Sequence, residues 1–168
     1  MGVAAGLVRF NAMPADEAEV TLLRCCDVPG WAARVRRGRP YSDLDAALSV
    51  ADSAASTLSR DDVDRALAAH PRIGERAEGE TVQARWSRAE QSGVGPDGET
   101  ARALADGNRA YEERFGRVFL ICATGLGAEE ILAALHTRLG NDDDKEQQVV
   151  ADELRKITLT RLRKVLTV

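Results

Sequence analysis

Apolar residues recur three and four positions apart along almost the whole chain, and hardly any stretch shows the apolar/polar alternation of a half-buried strand. That period fixes the fold class as all-α, a helical bundle of about seven to nine helices. At 168 residues the chain reads as a single domain over positions 1–168, long enough to bury about two-thirds of its unfolded surface in one core.

The helices are punctuated by recognisable breakers. The first is expected over about Pro14 to Cys26, with Asp16, Glu17 and Glu19 in its opening turns, where the helix dipole favours anions. Val28-Pro29-Gly30 ends it. A short helix with Trp31, Ala32 and Val35 inward runs to Gly38-Arg39-Pro40, and Ser42 is placed to cap a helix carrying Leu44, Ala47, Leu48 and Ala51 that ends near Leu58. Ser59-Arg60-Asp61-Asp62 has the form of a capping box, and Pro71 closes the helix that follows. Thr81 opens another, which stops at Gly93-Val94-Gly95-Pro96. A long helix from about Glu99 to Phe115 ends on Gly116, and Val118 to Ala123 is a short apolar run suited to an extended segment. Gly127 to Leu139 reads as a helix with Ile131, Leu132, Leu135 and Leu139 inward, and Gly140-Asn141 as a left-handed stop. The last helix has Asp142, Asp143 and Asp144 at its positive end and Arg161, Arg163 and Lys164 near its negative end.

Charge and cysteine content narrow the partners. A formal net charge of −4 and a pI near 5.3 give no basic footprint for nucleic acid or an anionic membrane, so small molecules are the better candidates. Cys25, Cys26 and Cys122 form no CxxC pair, and adjacent cysteines seldom bridge each other, which argues against a disulfide framework and for a reducing compartment. The opening MGVAAGLVRF is not a signal peptide, and no stretch approaches the roughly 20 apolar residues that span a bilayer. A cytoplasmic location is expected.

Two places carry chemistry. His70 is locked before Pro71, which pushes it out of helical geometry and turns its side chain off the regular helix surface, and its imidazole titrates in the neutral range. The plain alternative is a C-terminal helix residue favoured by the dipole. In Trp86-Ser87-Arg88-Ala89-Glu90-Gln91, the residues Ser87, Glu90 and Gln91 stand at i, i+3 and i+4. A hydroxyl, a carboxylate and an amide therefore share one helix face within about 6 Å at Cβ. A solvated face is the plain alternative here, whereas an inward-facing trio would have to be satisfied, and a polar ligand is one means. His136, mid-helix beside Leu135, reads as surface or satisfied core, and Cys122 as core. No set of His, Cys, Asp and Glu shows recognised metal-ligand spacing, and Gly125-Leu126-Gly127 is weak as an anion site.

Taken together, HPRIGE at His70 to Glu75, SRAEQSG at Ser87 to Gly93, NRAYEERFGRVFLICATG at Asn108 to Gly125 and ITLTRL at Ile157 to Leu162 resemble the 2-oxo-4-hydroxy-4-carboxy-5-ureidoimidazoline (OHCU) decarboxylase family, from about Leu22 onward. The resemblance implies an all-helical homodimer without metal or organic cofactor that converts OHCU to (S)-allantoin in urate catabolism. It implies His70 as proton donor with Pro71 lining the pocket, and Glu90 as a substrate contact; the chemistry would also have Glu90 orient the imidazole. Ser87 and Gln91 would contact substrate, and Phe119, Leu120, Ile121, Cys122 and Ala123 would close over the ring, with Arg161 as a further substrate contact. The forms Pro71-Arg72-Ile73 and Gly116-Arg117-Val118-Phe119 depart from the HPDL and FGFPF common in the family. The competing reading is a non-catalytic helical interaction module; a hydrolase of 5-hydroxyisourate is disfavoured, because that activity usually belongs to a β-rich protein.

Overall fold

The computed structural model describes residues 3–73, 82–91 and 98–168. Nine helices and no strand occur among them: α1 (Ala5–Ala12), α2 (Ala15–Cys25), α3 (Pro29–Arg37), α4 (Leu44–Ala55), α5 (Arg60–Leu67), α6 (Val82–Glu90), α7 (Gly98–Phe115), α8 (Ala128–Leu139) and α9 (Asp143–Thr167). The all-α expectation holds. Thr81, Gly74 to Gly79 and the breaker Gly93 to Pro96 lie outside the described residues.

Chain contacts divide into two compact units, residues 1–66 with 155–168, and residues 67–154. In the first, α1 is a helix that the apolar pattern alone did not flag. Its Leu7 and Phe10 are fully buried, and a Cβ on Gly6 would stand 2.5 Å from the carbonyl oxygen of Val165, so only glycine allows this approach of α1 to the end of α9. Pro29 begins α3 at the first helical position, where its missing N–H is harmless. Trp31 buries its ring and donates its indole N–H to Ala51 of α4 at 3.0 Å. The cap of α4 is Asp43, not Ser42: Asp43 accepts from the Ala46 N–H at 2.7 Å, and the Ser42 hydroxyl donates to the Asp43 carboxylate. Asp43 wins because its longer side chain carries a formal charge at the positive helix end. The capping box at Ser59 and Asp62 is present, with reciprocal bonds of 3.0 and 3.1 Å.

In the second unit, α7 lays Leu104, Gly107 and Tyr111 against α8. Gly107 lets the helices close, since a Cβ there would lie 2.3 Å from a Leu135 methyl. Ile73, Leu104, Tyr111, Phe119, Ile121, Ala123, Ile131 and Leu135 form one apolar cluster, with Leu132 and Leu139 packed at its margin. Gly116 ends α7 in the left-handed region, φ 70°, and its N–H bonds the Glu112 carbonyl. Residues 118–123 then run without helix or strand. Gly140, by contrast, is right-handed at φ −84°: the short link to Asp142, which caps α9 through the Lys145 N–H, needs no reversal there.

Candidate active site

His70 stands three residues beyond the end of α5, half-buried, with its N–H on the Leu67 carbonyl at 3.0 Å. The residues after Pro71 fasten this segment to α7. Arg72 forms a bidentate ion pair with Glu112, at 2.5 and 3.1 Å; the hydrogen bonds of Arg72 hold the Glu112 carboxyl below its usual range, against burial and with help from the Arg72 charge. Ile73 enters the apolar cluster, and its carbonyl accepts from the Asn108 amide at 2.7 Å. Rotation of the His70 backbone is thereby restricted by a side-chain fork, an apolar contact and a buried hydrogen bond. Arg72, Ile73, Leu104, Asn108, Arg109 and Glu112 also border a cavity of ≈ 320 Å³ on the flank of this segment. None of the site residues named from the sequence lines it.

On α6, Ser87 is 4 % and Glu90 9 % exposed, with Gln91 half-buried. The i, i+3, i+4 trio thus faces inward, and the solvated-face alternative is excluded. Phe119, Leu120, Ile121 and Ala123 are buried and Cys122 is half-buried. The run alternates as an extended chain does: Phe119, Ile121 and Ala123 belong to the apolar cluster, while Leu120 and Cys122 belong to the other face. Burial pushes the Cys122 thiol up, a backbone hydrogen bond involving Thr124 works against this, and the negative charges of Glu153 and Glu90 push it further up. Ile73 joins the His70 segment to the same run through the cluster.

Arg161 lies in the first unit, buried on α9 at 2 % exposure. Burial pushes the Cys26 thiol of that unit up to about 11, and the charge of Arg161 is among the weaker influences in the opposite sense. Cys26 is thus protonated at neutral pH. Cys25, Cys26 and Cys122 are not in disulfides, and His136 is exposed.

Sequence reasoning missed an ionic network beneath the run. Arg138 is buried and gives two N–H groups to Glu146, at 2.8 and 2.6 Å, and a third to the Leu120 carbonyl at 2.6 Å. Its guanidinium lies 4.5 Å above the Phe119 ring. Glu146, fully buried, also accepts from the Tyr111 hydroxyl at 2.6 Å and the Asn141 amide at 3.0 Å. Burial pushes the Glu146 carboxyl up, but the hydrogen bonds from Arg138, Tyr111 and Asn141 and the charge of Arg138 outweigh it and hold the group below its usual value. Arg138 follows Ile131 and Leu135 at the spacing of an apolar stripe, and Glu146 precedes Val150 and Leu154 in the same way. A charge at a core position was the available signal.

Among the described residues no group of three or more His, Cys, Asp or Glu is placed to hold a metal ion, and no helix is long and apolar enough to cross a membrane. Among the described residues the chain is all-helical, with His70 on a loop and Ser87 and Glu90 on the inward face of α6. Residues 11–163 match the family model described as OHCU decarboxylase, and the chain belongs to that family. It is 33 % identical over 144 residues to the 2-oxo-4-hydroxy-4-carboxy-5-ureidoimidazoline decarboxylase of Amia calva, covering 82 % of this chain and 81 % of the relative. Identity to the enzyme of the same name from Haloferax volcanii is 32 % over 140 residues, 80 % of this chain and 79 % of that one. A crystal structure of OHCU decarboxylase in the presence of (S)-allantoin aligns with a TM-score of 0.73 at 27 % identity, over 91 % of this chain and 99 % of the other.

Proposed function

We propose that this chain is a carboxy-lyase that removes CO2 from OHCU and delivers (S)-allantoin, with His70 as the proton donor. The carbon that carries the carboxylate adjoins a C=N unit. When the C–CO2 bond breaks, its electron pair moves into the ring, so the chemistry needs electrostatic preorganisation and no electron-sink cofactor. His70 then gives its proton to one ring face, and one-faced delivery sets the hand of the product. Glu90 orients the imidazole and pairs with N–H groups of the ring or ureido arm, while Ser87 and Gln91 hold further polar atoms. The run Phe119, Leu120, Ile121, Cys122 and Ala123 covers the ring and excludes water, which destabilises the ground-state carboxylate more than the charge-dispersed transition state. Pro71 lines the pocket.

The observation that carries this reading is the inward burial of Ser87 and Glu90, together with the anchoring of the His70 segment to the cluster that holds Phe119 and Ile121. Membership of the family supports the substrate. Family resemblance alone supports a cytoplasmic homodimer acting without cofactor on a small molecule, and a substrate contact for Arg161.

The test adds the protein to freshly hydrolysed urate oxidation product and follows optical activity. Rapid appearance of a single allantoin enantiomer, abolished in His70→Ala, is expected. Slow racemic formation, unchanged by the protein, overturns the assignment.

A further inference from the structure

We propose that Glu153 and Arg138 are positioning residues for the decarboxylation, and that they hold residues 119–123 in one register by gripping the backbone on either side of Ile121. The inference rests on the reading of that run as the cover of the substrate.

An extended segment must find partners for its backbone groups, and 118–123 has no strand beside it among the described residues. Ionised side chains supply them. The Leu120 carbonyl accepts from Arg138 Nη1 at 2.6 Å, and the Cys122 N–H donates to Glu153 Oε2 at 2.9 Å. Both are charge-assisted and so among the stronger hydrogen bonds available. Arg138 spends its remaining fork on Glu146, and its face on the Phe119 ring. Glu146 and Glu153 are seven residues apart on α9, two helical turns, which sets both carboxylates on one face of that helix.

Burying ions adds little net stability, because the desolvation cost offsets most of the attraction; its best-attested gain is a unique register. Register matters here. A slip of one residue would exchange the face made by Phe119, Ile121 and Ala123 with the face made by Leu120 and Cys122. Cys122 is the half-buried member of the run. The two grips therefore fix which face of the run packs into the apolar cluster and which face, with Cys122, is left to cover the ring.

Two substitutions in the chain test this. Glu153→Ala removes the acceptor, whereas Glu153→Gln keeps an oxygen that still takes the Cys122 N–H. Amide hydrogen exchange at Cys122, read by NMR without substrate, is expected to speed up roughly tenfold or more in Glu153→Ala. In the same variant kcat/KM is expected to fall about ten- to a hundredfold, the penalty of a small misplacement, and the optical purity of the allantoin to drop. Glu153→Gln is expected to restore most of all three. A merely structural role would lower Tm and leave optical purity alone. Faster Cys122 exchange with unchanged kcat/KM and optical purity overturns the proposal, as does a Gln variant no better than Ala. Should Glu153→Ala not fold, Glu153→Asp, one methylene too short, takes its place with the same readouts. Failure of the underlying reading has a different signature, the absence of one-handed allantoin from the unmodified chain, and overturns both.

Discussion

Arg138 and Glu146, one on α8 and one on α9, meet at 2.6 Å in the interior of their unit, with side-chain exposures of 7 % and 0 %. Each is also committed elsewhere: the arginine to Leu120 and the Phe119 ring, the glutamate to Tyr111 and Asn141. A pair enclosed in this way has no route to water once a partner is removed.

Arg138→Met is accordingly expected to destabilise the chain by about 3–5 kcal/mol, because it leaves Glu146 charged and buried. The double variant Arg138→Met/Glu146→Leu removes both charges and is expected to recover most of that loss. Urea unfolding followed by circular dichroism checks the sign. A double variant as unstable as the single one would mean that the hydrogen bonds to Leu120, Tyr111 and Asn141, not the charge balance, dominate.

The same network sets a pH window. Glu146 has a depressed folded-state pKa, so its contribution is complete above the unfolded carboxylate value of about 4.3 and is lost as the pH falls through the folded value. Burial, with hydrogen bonding to Glu146 next, pushes the Tyr111 hydroxyl up to about 12. That raised group contributes fully below its unfolded value of about 10 and loses its contribution as the pH climbs toward the folded one. Urea midpoints measured across pH should therefore decline on both flanks, and Tyr111→Phe should flatten the alkaline one.

Why the helices were legible and this network was not follows from where each residue draws its energy. The periods that define α2, α3, α7 and α8 arise from apolar burial, which a single strand of sequence displays directly. Helical spacing put Ser87, Glu90 and Gln91 on one face, but whether that face turned inward was left open by the sequence and is decided by burial. Arg138 and Glu153, however, act on backbone atoms of Leu120 and Cys122, 18 and 31 residues away. Such a bond leaves no periodic trace. Helix α1 was missed because its seal against α9 depends on the absence of a side chain at Gly6, and a lone glycine reads as a breaker until its neighbour is known.

Arg72 offers a way to separate anchoring from stability. Its ion pair with Glu112 is partly exposed, with side-chain exposures of 48 % and 26 %, and such pairs contribute roughly 0–1 kcal/mol. Arg72→Ala is expected to leave Tm within a few degrees yet to lower kcat/KM by about tenfold, because the segment that carries His70 loses one of its three attachments and misorients the donor. Arg72→Lys should recover only part of the activity, since an ammonium cannot reproduce the bidentate fork. Kinetics and thermal melts on the two variants decide it; equal loss of Tm and activity would make Arg72 a stabilising residue only.

Gly6→Ala weighs helix propensity against packing. In an open helix the change would stabilise by up to about 1 kcal/mol. Here the new methyl would meet three backbone atoms of Val165 and Leu166 at 2.5 to 2.8 Å. Backbone cannot swing aside as a side-chain end does, so α1 must lift and loosen the packing of Leu7 and Phe10, for a net loss of roughly 1–3 kcal/mol. Gly107→Ala is the control. Its nearest neighbour is a Leu135 methyl at 2.3 Å, which can change rotamer, and the loss should be smaller. Urea denaturation of both variants ranks them, and a Gly6→Ala chain as stable as the parent would show that α1 is not sealed against α9 by this contact.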